Sequence, residues 1–335
     1  MSRITAILTG TVLVPLAALL LLAAEAHRFL TVPVAPPQAT IVAIPSGTGF
    51  NQAARMLERE GIVTSARKLR ILALWQGNAT RVKAGRYLFE GEAAPQQVLD
   101  RLVAGDILQE RLTIPEGWTA AEIARRIGAD DPQREAAVLN LVKEAAFIRK
   151  LGMNVPSLEG YLFPSTYTFP EDFPLERLLE NMVREFHSRL TEEMKKAAAD
   201  LGLSLHQWVT LASIIQKESG RVEEMPLISA VFHNRLKKGM PLQADPTVIY
   251  AIADFDGNLT RRHLNTPTPY NTYQNPGLPP GPIANPGSDA LNAAVRPAAV
   301  DYLFFVSRND GTHVFSTTLR EHNQAVIQFQ RRGRR

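Results

Sequence analysis

One carboxylic acid stands where a helical pattern calls for an apolar residue. In "LASIIQKESG", residues 211–220, Leu211, Ile214 and Ile215 share one helix face at the i, i+3 and i+4 spacing, and Glu218 takes the i+7 position. Near the C-terminal end of a helix, the helix dipole raises the pKa of a carboxyl group. A carboxylic acid that stays protonated near neutral pH suits general acid catalysis. The alternative is an ordinary polar residue that leaves the core at the last helical turn.

Further polar residues could line a cleft around this acid, although each also has a structural interpretation. Asp245 can serve as the N-cap of a helix that has Pro246 at its first position, and Glu159 lies among aromatic residues in "SLEGYLFP". The long Pro-rich segment 265–287 is of the kind that is usually functional or disordered. The segment contains rings and an amide group in Tyr270, Asn271 and Tyr273. These side chains could bind a sugar or simply hold the loop in place, and composition does not separate the two roles.

Several catalytic classes lack the residues that they need. The sequence contains no cysteine, which excludes a thiolate nucleophile, a Cys-ligated zinc site and a disulfide framework. It has no P-loop, no G-x-S-x-G, no H-E-x-x-H, and no G-x-G-x-x-G after a strand. Its seven histidines are scattered, which gives little support to a metal site. We therefore expect no cofactor and no metal, and the net charge of +4 gives no strong indication of nucleic-acid binding.

The helix that carries Glu218 has clear boundaries in the sequence. Ser204 and Gln207 form an S-x-x-Q capping box before Trp208, and Gly220 ends the helix. A second helix is predicted over about 223–238, followed by a short helix that starts at "DPTVIY". Near the C-terminus, "DYLFFVS" and "THVFST" predict a hairpin across "RNDG", followed by a closing helix.

The N-terminal half predicts a small α+β region that follows an apolar segment. "IPSGTGFNQAARML" (44–57) and "IPEGWTAAEIARRI" (114–127) each read as a short strand, a turn and a helix. Before them, the uncharged run Ile4–Ala24 is long enough to span a bilayer, which favours a membrane anchor over a cleaved signal peptide. Either interpretation places the rest of the chain across the membrane.

Five stretches, in order over roughly 160–325, resemble the MltG-type (YceG-like) endolytic murein transglycosylases. They are "EGYLFPSTY", "LASIIQKESG", "VFHNRLKKGMPLQADPTVIYA", "TPYNTYQNPGLPPGPIANPG" and "DYLFFVSRNDGTHVFSTT". The N-terminal apolar segment and the small domain with "KAGRYLF" and "TIPEG" also match. By its place in A-S-I-I-x-K-E, Glu218 corresponds to the catalytic acid of that family. The resemblance also implies that the small domain is LysM-like and binds glycan.

The fold expected from the pattern and the resemblance is α+β: a membrane anchor, a small LysM-like N-terminal domain and a larger α+β catalytic domain. The predicted boundaries are a transmembrane anchor over 1–28, a Pro-rich linker over 29–39, a LysM-like domain over 40–112, a catalytic domain over 113–330 and a basic tail over 331–335. The residues predicted to bind substrate beside the acid are Glu159, Asn234, Gln243, Asp245, Tyr270, Asn271 and Tyr273.

The resemblance implies lytic cleavage of the MurNAc–GlcNAc β-1,4 bond within peptidoglycan strands, which leaves 1,6-anhydro-MurNAc ends and terminates nascent strands. One acid suffices for this reaction, because the sugar's own C6 hydroxyl replaces water as the nucleophile. The expected location is the inner membrane, with a periplasmic catalytic domain and with penicillin-binding synthases as partners. Two alternatives remain open: a hydrolytic muramidase, or a non-catalytic, membrane-tethered glycan-binding scaffold for cell-wall synthases.

Overall fold

A computed structural model describes residue 17 and residues 19–129, 131–170 and 173–331. The fold mixes helices and strands, which confirms the predicted α+β class. The strands are β1 Thr40–Ile44, β2 Gly85–Phe89, β3 Gln109–Thr113, β4 Thr166–Pro170, β5 Phe304–Ser307 and β6 His313–Ser316. The helices are α1 Phe50–Arg59, α2 Ala66–Trp75, α3 Pro95–Ala104, α4 Ala120–Ile127, α5 Pro132–Lys143, α6 Ala145–Lys150, α7 Leu175–Arg189, α8 Glu192–Asp200, α9 Leu205–Glu218, α10 Met225–Lys237, α11 Asp245–Tyr250, α12 Arg261–Asn265, α13 Ser288–Val295 and α14 Leu319–Val326.

The chain divides into two compact units, and β3 and β4 each pass from one unit to the other. Of the described residues, unit 1 contains those up to 111 together with 168–170, and unit 2 contains those from 112 to 167 and from 173 to 331. In unit 1, β1 pairs antiparallel with β2, with Val42 opposite Tyr87. The helices α1, α2 and α3 contribute to one buried apolar cluster with these strands. Burial of this apolar surface is the main favourable contribution to the stability of such a small unit.

Unit 2 is built around α9, which is apolar on most of its surface. All eight residues from 208 to 215 are buried, and α13 packs against this helix. Helix α10 also packs against α13, and the hairpin β5–β6 packs beside α14. The strands of the hairpin pair antiparallel, with Phe305 opposite Phe315, as the sequence predicted. A helix buried on nearly all sides has a fixed position, and this also fixes its last residue, Glu218.

The predicted anchor falls largely outside the described residues, which begin at 17 and omit 18. Residues 19–31 are helical, and Leu19–Leu22 are exposed. Among the residues that the structure describes, none belongs to a helix with the length and apolar character needed to cross a bilayer. The anchor over 1–28 therefore stays a prediction from the sequence.

Candidate active site

Helix α9 presents Glu218 as its last residue. The Ser204 hydroxyl accepts a hydrogen bond from the Gln207 N–H, and the Gln207 side chain accepts one from the Ser204 N–H, so the predicted capping box is confirmed. At the same end, the buried Trp208 donates from Nε1 to the carbonyl oxygen of Leu291, at 2.7 Å. These contacts fix the rotation of the helix, so Glu218 has a defined position and direction.

The carboxyl group of Glu218 is held in its protonated form at neutral pH. Burial, and after it the negative charge of Asp245, raises the pKa of Glu218 to about 8, while Arg235 acts in the opposite direction. The sequence predicted a raised pKa from the helix dipole, and the causes that the structure gives are burial and Asp245. The residue remains partly exposed, whereas its neighbour Lys217 is exposed. Glu218 is therefore an acid that a ligand can reach and that has a proton to donate.

Asp245 is not the helix cap that its sequence context predicts. Helix α11 begins at Asp245 itself, its N-cap is Ala244, and no side chain caps it. Two threonine hydroxyl groups bond the backbone of Ala244 in place of Asp245. Thr272 accepts from the Ala244 N–H at 3.0 Å, and Thr247 donates to the Ala244 carbonyl at 2.7 Å. The Asp245 carboxylate instead accepts a 2.5 Å hydrogen bond from the Tyr273 hydroxyl. It therefore remains available as a charged group beside Glu218.

Arg235 is a site residue that the sequence analysis missed. On α10, Ile228, Val231 and Phe232 form an apolar stripe, and Arg235 takes the i+7 position after Ile228. This is the spacing that drew attention to Glu218, so the same criterion could have found Arg235. Arg235 is 7% exposed, and its guanidinium is the positive charge that lowers the pKa of Glu218.

The guanidinium of Arg235 holds the chain on both sides of the site. Its Nε donates to the Leu303 carbonyl at 2.7 Å, and its Nη1 donates to the Leu242 carbonyl at 2.8 Å. It also lies over the ring of Phe304, at 5.2 Å from the centroid. Bonds to carbonyl oxygens satisfy its donors without neutralising its charge. Arg235 therefore positions the segment before Asp245 and supplies a fixed positive charge.

A second acid, Glu159, is almost fully buried in a separate cluster. Its carboxyl group accepts hydrogen bonds from the Ala120 N–H at 3.0 Å, the Tyr250 hydroxyl at 3.2 Å and the Asn285 side-chain amide at 3.3 Å. Burial, opposed by the hydrogen bonds from Ala120 and Tyr250, raises the pKa of Glu159 to about 7. Tyr270 lies beside this group, with its ring centroid 5.0 Å from that of Tyr250. Glu159 thus links three separate chain segments.

A cavity of about 830 Å³ adjoins Glu159. Glu159 and Tyr250 line it, together with Lys217 and Pro246, which are the chain neighbours of Glu218 and Asp245. A cavity of this size is in the range of ligand pockets. The predicted residues thus fall into two groups: Glu159 with Tyr270, and Glu218 with Asp245 and Tyr273.

Three other predicted residues make contacts that hold the chain in place. The Asn234 amide donates to the carbonyls of Val300 and Tyr302, at 2.9 and 3.0 Å. Asn271 is fully buried, and its amide donates to the carbonyls of Leu264 and Thr266. Gln243 is exposed with a φ of 51°, and its N–H donates to the Thr272 carbonyl. These residues hold the chain around the site, and of the three only Gln243 presents an exposed side chain.

The arrangement of Glu218 supports acid–base chemistry with a single proton carrier. A protonated carboxyl group, a nearby carboxylate that raises its pKa and a buried guanidinium that limits this rise are fixed by three separate elements. Such a group donates a proton, becomes a carboxylate and can then recover the proton from the next hydroxyl. The chemistry that such an arrangement can support is general acid and then general base catalysis.

Comparison with known proteins gives the family. The YceG-like family model matches residues 42–328, which is most of the chain. An endolytic murein transglycosylase of Bacillus subtilis strain 168 is 33% identical over 305 residues, which cover 85% of this chain and 83% of that protein. The protein of the same name from Streptococcus pneumoniae serotype 2 is 29% identical, over 86% of this chain and 58% of that protein.

The fold is also shared with a solved structure. A 2.6 Å crystal structure of a yceG-like protein from Listeria monocytogenes superposes with a TM-score of 0.60, at 32% identity, and covers 86% of this chain and 98% of that one. The chain therefore belongs to the YceG-like family, as its motifs indicated.

Proposed function

We propose that this chain is an endolytic murein transglycosylase, with Glu218 as its catalytic acid. The enzyme cleaves the β-1,4 bond between MurNAc and GlcNAc within a glycan strand. The observation that carries this assignment is the raised pKa of Glu218 beside Asp245, in a chain whose relatives bear that name.

One residue performs both proton transfers. Protonated Glu218 donates its proton to the glycosidic oxygen, and the bond between that oxygen and C1 of MurNAc breaks. The Glu218 carboxylate then takes the proton from the C6 hydroxyl of the same sugar, whose oxygen bonds to C1. The products are a GlcNAc end with a free hydroxyl and a 1,6-anhydro-MurNAc end, and the acid is returned to its starting form. No water and no protein nucleophile enter the reaction.

The neighbours of Glu218 support this cycle through charge. Burial, and after it the charge of Asp245, keeps the acid protonated at neutral pH, and Arg235 favours the carboxylate that forms after donation. Because the two charges act in opposite directions, neither protonation state is strongly disfavoured. Tyr273 holds the Asp245 carboxylate in place at 2.5 Å. The other predicted cleft residues, Glu159, Gln243 and Tyr270, contribute to the walls that hold the strand.

A hydrolytic muramidase is the second candidate, and the proximity of Asp245 favours it. Most glycosidases use two carboxylates that flank the bond, one as the acid and one to activate water or attack the sugar. Asp245 could take the second role, since it is a carboxylate that influences Glu218.

Mass analysis of the products separates the two candidates. The transglycosylase yields anhydro ends that are about 18 mass units lighter than hydrolysis products, because no water is added. Digestion of murein sacculi by the full chain should therefore release anhydro-muropeptides. Reducing MurNAc ends in their place would replace the proposal with the hydrolase.

The location and the role of the small domain complete the proposal. The apolar run Ile4–Ala24 anchors the chain in the inner membrane, and its length supports this role. The catalytic domain is then periplasmic, where murein and the penicillin-binding synthases are found. The LysM-like domain over 40–112 binds glycan, and its resemblance to the family's small domain supports this role. Cleavage near the synthases ends the growth of nascent strands.

A further inference from the structure

We propose that helix α2 docks on the surface of an anionic lipid bilayer through an apolar ridge formed by Ile71, Leu74 and Trp75. The exposed fractions of these side chains are 58%, 57% and 81%. The opposite face of α2 is buried in the core of unit 1, through Leu69, Leu72 and Ala73 among others. Three large apolar side chains that are adjacent and exposed on one short helix indicate a surface with a partner.

The ridge lies at the level where the apolar N-terminal run ends. Leu22, in the last turn of the run Ile4–Ala24, lines a groove of about 650 Å³ together with Ile71 and Trp75. The exposed Leu19–Leu22 continue from this groove toward the N-terminus. When the run spans the bilayer, Leu22 lies near the boundary between hydrocarbon and headgroups, and Trp75 lies at the same depth. Tryptophan is enriched at that boundary because its ring is apolar with one polar N–H.

Specific contacts hold α2 against the helical residues 19–31. The Lys68 ammonium pairs with the Glu25 carboxylate at 2.7 Å, and it lies 5.7 Å from the centroid of the Phe29 ring. Phe29 is itself buried in the core of unit 1. The depth of the ridge is therefore tied to the depth of the anchor, and the ridge does not depend on a flexible linker for its position.

The positive charges of α2 favour an anionic lipid surface as the partner of the ridge. Arg67 and Arg70 are exposed, and no ion pair joins either of them to another residue in the described part of the chain. Basic residues beside an apolar face are typical of helices that lie in the membrane interface, and each contributes to binding anionic headgroups. A second copy of the chain would present the same positive charges to this face, so a lipid surface fits it better. The inference rests on the proposed anchor and not on the chemistry of Glu218.

Fluorescence of the full chain in vesicles tests the docking. The chain is reconstituted in vesicles of phosphatidylcholine and phosphatidylglycerol, with bromine either near the headgroup end or near the terminal end of the acyl chains. The difference between the wild type and Trp75→Phe isolates the signal of Trp75 from those of Trp118 and Trp208. We expect Trp75 to be quenched, and more strongly by bromine near the headgroup. A Trp75 signal that bromine does not quench would overturn the proposal, whether water or a second copy covers the ridge.

A charge-matched pair of variants tests the lipid preference. Arg67→Gln with Arg70→Gln should lose most of the Trp75 quenching, whereas Arg55→Gln with Arg59→Gln on α1 should keep it. Equal quenching in both double variants would show that the charges of α2 do not select the surface. Murein cleavage is measured on the same vesicles. In the wild type, absent Trp75 quenching with retained cleavage rejects the docking alone, and absent cleavage with retained quenching rejects the proposed function alone.

Discussion

At the residue scale, Glu218 is influenced by one charge of each sign, and burial decides its protonation state. Burial and Asp245 favour the neutral acid, Arg235 favours the carboxylate, and the resulting pKa is about 8. An acid with this pKa is mostly protonated at neutral pH and still close enough to titration to release its proton. The proton of Glu218 and the charge of Asp245 can each be removed by a single substitution.

The first prediction concerns the proton itself. Glu218→Gln keeps the shape and polarity of the side chain but cannot donate and recover a proton. General acid–base catalysis contributes typically about 10²–10⁴-fold, so murein cleavage should fall by at least about a hundredfold. Circular dichroism should show an unchanged fold. Near-normal cleavage by the folded variant would exclude Glu218 from the mechanism.

The second prediction concerns the charge of Asp245. Asp245→Asn removes the negative charge but keeps an acceptor for the Tyr273 hydroxyl. The pKa of Glu218 should fall, so the protonated acid is lost at lower pH, and the alkaline limb of kcat/KM against pH should move down by about one pH unit. Asp254→Asn, which removes an exposed carboxylate from the same region, is the control. A limb that stays in place in Asp245→Asn would mean that this charge does not act on Glu218.

At the element scale, the site depends on a close approach between the segment that carries Glu159 and helix α9. Gly160 has a φ of +87°, and a Cβ there would lie 2.5 Å from the Pro282 Cβ and 2.9 Å from the Val209 Cγ1. Only glycine permits both the backbone conformation and the contact. Glu159 and its three hydrogen bonds are positioned by this turn.

Gly160→Ala should therefore lower the free energy of unfolding by more than backbone strain alone would. Gly152→Ala is the matched control, since Gly152 has a φ of +75° and a Cβ added there would have no other atom within 4 Å. The control should lower the free energy of unfolding by about 1 kcal/mol. Gly160→Ala should lower it by about 2 kcal/mol more, because the methyl group forces apart packed backbone and side chains. Denaturant unfolding measures both, and equal values would show that the turn can move without cost.

At the scale of the whole molecule, two units divide the proposed work between holding murein and cutting it. The predicted LysM-like domain 40–112 ends inside β3, which runs from Gln109 to Thr113. A deletion that respects the elements should therefore stop before β3.

Deleting 40–108, with the N-terminal segment retained, should weaken binding to sacculi more than it lowers turnover on short soluble glycan chains. The reason is that long strands gain affinity from a second binding site, whereas short chains need only the cleft around Glu218. Co-sedimentation with sacculi and turnover of soluble chains measure the two effects. Undiminished sacculus binding by the shortened chain would reject a glycan-binding role for this domain.

The anchor gives a separate prediction for the intact molecule. If the run Ile4–Ala24 stays in the membrane, the protein recovered from membranes begins near Met1 or Ser2. N-terminal sequencing or intact mass measures this. A mature terminus near His27 would instead identify the segment as a cleaved signal.

Much of the local structure could be predicted from the sequence. The capping box at Ser204, the end of α9 at Glu218 and the hairpin β5–β6 all follow from residues within a few positions of each other. Local periodicity and turn residues determine such features whatever the rest of the fold does. Asp245 is the exception, because its capping role was inferred locally and lost to hydroxyl groups of Thr247 and Thr272.

The sequence by itself determined which acid stands at the end of a buried helix and in which direction its pKa moves. Only the tertiary structure decided which groups surround this acid and what holds them. Tyr273 bonds Asp245 across 28 positions of the chain, and Arg235 bonds the Leu303 carbonyl across 68. The tertiary structure also decided that the side-chain amides of Asn234 and Asn271 donate to backbone carbonyls. The physical reason is that a polar side chain bonds whichever group the packed core brings within about 3 Å, and periodicity along the chain carries no information on that group.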